Sequence, residues 1–173
     1  MSGRAPWGAV ALGFLVLFPI AAVLAVRPSN SGGKPVRQPI SFNHRKHVEE
    51  NSMECSTCHE FYEKEAFSGV PTAELCESCH AEPQGDSPAE RDLVRLLKEG
   101  APLDWKPLFR QPPHVYYSHQ RHVMVARLDC GVCHGAIGQS AKPPARVRRL
   151  GMQDCIDCHR RSGVATECTT CHR

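Results

Sequence analysis

Apolar positions along this chain gather near one end. Trp7–Val26 is an unbroken run without a charged residue, and about 20 such residues carry a helix across a bilayer core. Arg4 precedes the run and Arg27, Lys34 and Arg37 follow it, so flanking charge says little about orientation. The run is longer than a typical leader core and opens on an interfacial Trp. Residues 1–27 are therefore expected to form an N-terminal transmembrane helix that anchors the chain. The alternative is a cleaved leader, with Val23-Leu24-Ala25 as its small-residue cleavage site. Residues 28–40 have the Pro, Gly and Ser composition of a linker. Beyond them one stretch carries a helical period, with Leu93, Leu96 and Leu97 on one stripe. Its boundaries are marked too: Ser87 as N-cap, Pro88 at the first helical position, Glu90 completing a capping box and Gly100 past the end. Residues 101–113 read as extended and Pro-punctuated.

So little periodicity in 173 residues, with 6% aromatics, 13 Gly and 14 Pro, predicts a thin apolar core. Small scaffolds in that position are held by metals or cross-links. The chain carries 10 Cys and 10 His, which supply the means. The expected fold is mainly α with much irregular loop, organised around bound cofactors over residues 41–173. Within it, 41–82 and 114–173 carry the cysteines and 83–113 is a spacer. A formal charge of +3 with scattered basic residues gives no footprint for nucleic acid.

All ten cysteines fall in Cys-x-x-Cys-His pentads: Cys55/Cys58/His59, Cys76/Cys79/His80, Cys130/Cys133/His134, Cys155/Cys158/His159 and Cys168/Cys171/His172. On a helical turn, positions i, i+3 and i+4 share a face. Two thiols can then meet the two vinyl groups of one haem while the imidazole reaches its iron, the attachment pattern of haem c. Zinc sites and redox disulfides also use Cys-x-x-Cys, but neither requires His directly after the second Cys, and here it follows all five times. Five covalent haems are expected.

Setting the pentads aside leaves His44, His47, His114, His119 and His122, one for the far side of each haem. Iron held by two imidazoles has no open position, so the expectation is electron transfer without catalysis at iron. Met53 and Met152 lie close to cysteine pairs and are the alternative ligands. His44/His47 and His119/His122 are each three apart, so each pair shares a helical side and must serve two different haems. Metal ligation and folding should then be coupled. Phe42-Asn43-His44-Arg45-Lys46-His47-Val48 also parallels Tyr117-Ser118-His119-Gln120-Arg121-His122-Val123, and eleven residues separate His44 from Cys55 and His119 from Cys130 alike. Two copies of one module are implied.

The Phe-x-His-x-x-His-Val arrangement ahead of Cys-x-x-Cys-His resembles the class III multihaem cytochromes c. That resemblance implies that His44 serves the haem on Cys55/Cys58, His119 the haem on Cys130/Cys133 and His122 the last, on Cys168/Cys171. It leaves His47 and His114 for the haems on Cys76/Cys79 and Cys155/Cys158, in either order. An anchor, two haems, a spacer with Trp105-Lys106-Pro107-Leu108-Phe109, the run His114 to His119 and three more haems is similar to the pentahaem subunit of alternative complex III. This implies a relay on the periplasmic side of a bacterial inner membrane, within a complex that oxidises menaquinol. Its partners would be an iron–sulfur subunit, integral-membrane subunits and further cytochromes c. A free-standing anchored carrier feeding periplasmic reductases is the rival reading. An enzyme such as a multihaem nitrite reductase is disfavoured, because no pentad replaces its His by Lys.

Overall fold

The computed structural model describes residues 35–145 and 150–172. The expected anchor at 1–27 and the linker up to residue 34 lie outside the described residues. Among those described, no helix is long and apolar enough to cross a membrane. No strand ladder is present there either, and extended pairing is confined to isolated bridges such as Val115 with His172.

Five α-helices carry the described fold: α1 (Ala73–His80), α2 (Pro88–Lys98), α3 (Cys130–His134), α4 (Met152–Arg161) and α5 (Cys168–Cys171). Four of the five are the pentads themselves. Three of these four start where a short polar side chain meets exposed backbone N–H groups. The Leu75 amide donates to Thr72 Oγ1 at 3.3 Å, the Gly131 amide to Asp129 Oδ1 at 2.7 Å and the Gly151 amide to Asp154 Oδ2 at 2.8 Å. The first pentad forms a tighter 3₁₀ turn, Cys55–Thr57. The His59 amide still reaches back to the Cys55 carbonyl at 2.9 Å, so all five pentads wind both cysteines and the histidine onto one side.

Only α2 lacks a pentad, and it makes most of the apolar interior. Its Leu93 and Val94 are buried, along with Ile40, and these are the buried apolar side chains among the described residues. Leu96 and Leu97, on the expected stripe, are half-buried. The helix packs against α1 and ends before Gly100, whose φ of 64° suits a residue without Cβ. The expected capping box does not form. Ser87 makes no side-chain cap, and the Glu90 carboxylate is turned away to accept from the Gln84 amide at 2.7 Å and from His80 at 2.9 Å.

The two sequence copies share one backbone. Lys46–Glu50 and Arg121–Val125 are both π-helical turns, 75 residues apart. Each turn closes on a left-handed residue at the same offset, Ser52 with φ 54° and Arg127 with φ 53°. The next amides then return to the second histidine of each pair: Met53 to the His47 carbonyl at 2.9 Å and Leu128 to the His122 carbonyl at 3.1 Å. The first turn is docked on the segment after the third pentad. The Arg45 amide and guanidinium donate to the Ser140 and Gln139 carbonyls, both at 3.1 Å. Gly138 lies so close to Val48 that a Cβ there would sit 3.3 Å from its Cγ1.

A left-handed non-glycine residue costs about 1–2 kcal/mol, and glycine's extra chain entropy returns roughly 0.5–1 kcal/mol of that. Arg127→Gly, at an exposed position, should therefore raise the apparent melting temperature of the intact protein by about 1–3 °C. Circular dichroism of the parent and variant side by side measures it, with no change or a fall as the contrary result.

Candidate cofactor site

None of the ten cysteines is in a disulfide. Burial pushes the thiols of Cys58, Cys76, Cys130, Cys133 and Cys155 up, so they are neutral S–H groups. Reactive redox cysteines are tuned the opposite way. Among the described residues, no three of His, Cys, Asp and Glu converge on one point as a metal cage requires. The thiols suit covalent attachment to a flat group lying beside each turn.

The histidines organise themselves in twos. His47 faces His80 with ring centres 6.1 Å apart, His119 faces His134 at 6.4 Å and His122 faces His159 at 6.2 Å. A first-row metal sits about 2.0–2.1 Å from an imidazole nitrogen, so two imidazoles in line across one metal have ring centres roughly 6.3 Å apart. The three gaps match that span. His114 stacks on His172 at 5.4 Å, somewhat closer, so this pair would have to open most. His44 lies within electrostatic reach of His59. Burial first, then His59 and His47, lower its pKa to about 4, which keeps it neutral with a lone pair free. Four pentad histidines thus face a second imidazole and the fifth, His59, has His44 within electrostatic reach; Met152 is 64% exposed.

These placements alter one expectation and fill a gap. The resemblance implied that His122 serves the last pentad. In the structure His122 faces the fourth, because three residues along one short turn carry it only one site beyond His119. The fifth pentad instead meets His114, brought there by the Val115–His172 bridge and by the Tyr116 amide donating to the Cys171 carbonyl at 2.8 Å. His47 goes to the second pentad.

Hydrogen bonds at Nδ1 fix which nitrogen is free. Nδ1 of His47, His59, His119, His122 and His159 lies 2.8–2.9 Å from the carbonyls of Asn43, Gly69, Ala66, Ser118 and Ala165. A carbonyl only accepts, so each Nδ1 carries the proton and each Nε2 presents a lone pair. Ser140 donates its hydroxyl proton to the Ile137 carbonyl at 2.7 Å, which leaves its oxygen facing His44 Nδ1 at 3.4 Å. His80 has a charged partner, the Glu90 carboxylate at 2.9 Å. The Gln84 amide above all, with His80, holds that carboxyl below the usual range, so Glu90 is an anion at neutral pH. Gly69 can present its carbonyl to His59 because its φ is 81°, and a Cβ there would lie 2.6 Å from the Phe61 ring.

Aromatic rings brace the pairs identically in both copies. Phe42 meets His44 edge-on at 4.8 Å and stacks on His47 at 4.5 Å. Tyr117 meets His119 edge-on at 4.9 Å and stacks on His122 at 4.7 Å. Burial pushes the Tyr117 hydroxyl up to about 12, with Cys133, Cys155 and Cys130 within electrostatic reach. The spacer takes part as well. Phe109 sits edge-on to His134 at 4.4 Å, and Trp105 donates to the Pro71 carbonyl at 2.9 Å while facing Phe42. In the sequence, Phe42 and Tyr117 are marked by their matched places in the repeat, whereas Trp105 and Phe109 stand out only through the family resemblance, with no role attached.

Paired turns of two thiols, each with an imidazole facing a second imidazole, describe the polypeptide of a multihaem c-type cytochrome. Residues 20–100 match the class III cytochrome c family, and residues 115–173 match cytochrome c7 and related cytochromes c. A relative from Nitratidesulfovibrio vulgaris strain Hildenborough, the multihaem cytochrome c subunit of a menaquinone reductase, is 30% identical over 161 residues. That stretch covers 79% of this chain and 77% of the relative. The chain belongs to this family of multihaem cytochromes c, whose cofactor is covalently bound haem c.

A charged hydrogen-bond acceptor on an axial imidazole favours ferric over ferrous iron. Glu90→Gln keeps an acceptor for His80 but removes the charge, a difference of about 1 kcal/mol. One haem potential should rise by roughly 40 mV, taking 59 mV per tenfold for a one-electron couple, while the others stay put. Spectroelectrochemical titration of the loaded protein reads this directly, and an unshifted set of potentials would separate Glu90 from the iron.

Proposed function

We propose that this chain is a membrane-anchored electron relay holding five haem c groups, with each iron between two imidazoles. The relay would face the periplasm from a bacterial inner membrane and belong to a quinone-linked respiratory complex. The observation that carries this reading is that four pentad histidines face one of the remaining histidines, and His44 lies within electrostatic reach of the fifth. The attachment residues are Cys55, Cys58, Cys76, Cys79, Cys130, Cys133, Cys155, Cys158, Cys168 and Cys171. The ligand pairs are His44/His59, His47/His80, His119/His134, His122/His159 and His114/His172.

Bound haem supplies a one-electron iron couple. The chain's own part would be to hold the iron with the paired histidines, orient their rings through the Nδ1 protons and brace them with Phe42, Tyr117 and Phe109. No residue is assigned to bond-making, and quinone chemistry falls to a partner subunit. The relative's name supplies the link to menaquinone. The finer reading follows the resemblance to alternative complex III: menaquinol is oxidised, and iron–sulfur, integral-membrane and further cytochrome subunits complete the assembly. The relative is named for the reverse direction, so the deciding measurement is whether the purified complex reduces its haems with a menaquinol analogue. Recovery from mild detergent without stoichiometric partners would favour the free-standing carrier.

The ligation itself is tested by His119→Ala in the loaded protein. One low-spin ferric signal should become high-spin and the reduced form should gain one carbon monoxide site, with all five haems still attached by mass. An unchanged spectrum removes His119 from the ligand set. Carbon monoxide binding by the parent protein would overturn the relay.

A further inference from the structure

Sequence order is not the order in which the attachment sites meet in space. We propose that the five sites form one unbranched file running second, first, third, fourth, fifth, with the second and fifth sites at its ends. This rests on the relay reading above and deepens it.

The first and second sites are joined by one short segment. His44 and His47 lie a single turn apart and face His59 and His80 respectively, with Phe42 touching both spare rings. Cys58 and Cys76 are also within electrostatic reach of one another. The third and fourth sites are joined in the same way by His119, His122 and Tyr117, with Cys133 in reach of Cys158.

The joint between the two copies runs through the first and third sites. One loop serves both: its Gly69 carbonyl accepts from His59, and its Ala66 carbonyl accepts from both the ring and the backbone of His119. From the other side, Ser140, just past the third pentad, faces His44. Cys55 and Cys130 lie within electrostatic reach of one another, so the first and third attachment sites are neighbours. Tyr62 lies beside this joint, within electrostatic reach of Cys130 and Cys55.

The fifth site attaches to the fourth. Cys155 is within electrostatic reach of Cys171. The carbonyl of Ala165, in the connection between the two pentads, orients His159. The Val115–His172 bridge then ties the fifth pentad to the segment leading into Tyr117.

Two measurements on the haem-loaded protein test the file. In crystals, anomalous diffraction at the iron edge locates the irons, and each iron is named by the cysteines beside it. The expected result is that the first site's two nearest irons are those of the second and third sites. A second-site iron nearest the third, or a fifth nearest the first, would overturn the order. In solution, a high-spin haem broadens the low-spin paramagnetic resonance signals of its immediate neighbours. His44→Ala should therefore alter two of the four remaining signals and His47→Ala only one. One and two, respectively, is the sequence order and would refute the file. Any other order with every iron still held by two imidazoles leaves the relay intact. An iron with an open axial position removes the relay instead.

Discussion

Everything in this fold hangs on two imidazoles facing each other across a gap one iron wide. Among the described residues few apolar side chains are buried, and α2 supplies most of them. The other helices are one to three turns long, shorter than helices that persist alone in water. Their reason for existing is that a helical turn is the shape that sets two thiols and an imidazole on one side. Small metal-dependent domains couple such attachment to folding. The polar groups follow the same logic: seven histidines have Nδ1 engaged, and the acceptors are mostly backbone carbonyls.

Much of this was legible in the sequence. The pentads announce themselves, and the eleven-residue interval from His44 to Cys55, repeated from His119 to Cys130, already contained the shared backbone. Even the left-handed Ser52 and Arg127 fall at one offset, although neither residue type advertises that conformation. The α2 helix was bounded by its own start and stop residues.

The long-range closures were not legible. Nothing local to His114 or His122 says which pentad each will meet, because the choice is made by a bridge near residue 172 and a turn of fixed length. The capping box was misread for a related reason. Glu90 had a local role available to it, and a distant histidine with a free N–H competed successfully for the same oxygen. The spacer looked like a connection, yet Phe109 and Trp105 close the walls of sites built by residues far away in the chain.

Each copy of the repeat is self-sufficient: its first histidine answers its own first pentad and its second answers the next. The copies touch through hydrogen bonds, from Arg45 to the Gln139 and Ser140 carbonyls and from His119 to the Ala66 carbonyl, and neither lends the other a histidine. A unit with that property can be strung end to end like beads, since adding one creates no unmet valence in its neighbours. The length of such a conductor is then a matter of copy number, and the odd fifth site, closed by a histidine lying ahead of the second copy, marks where that arithmetic was extended by half a unit.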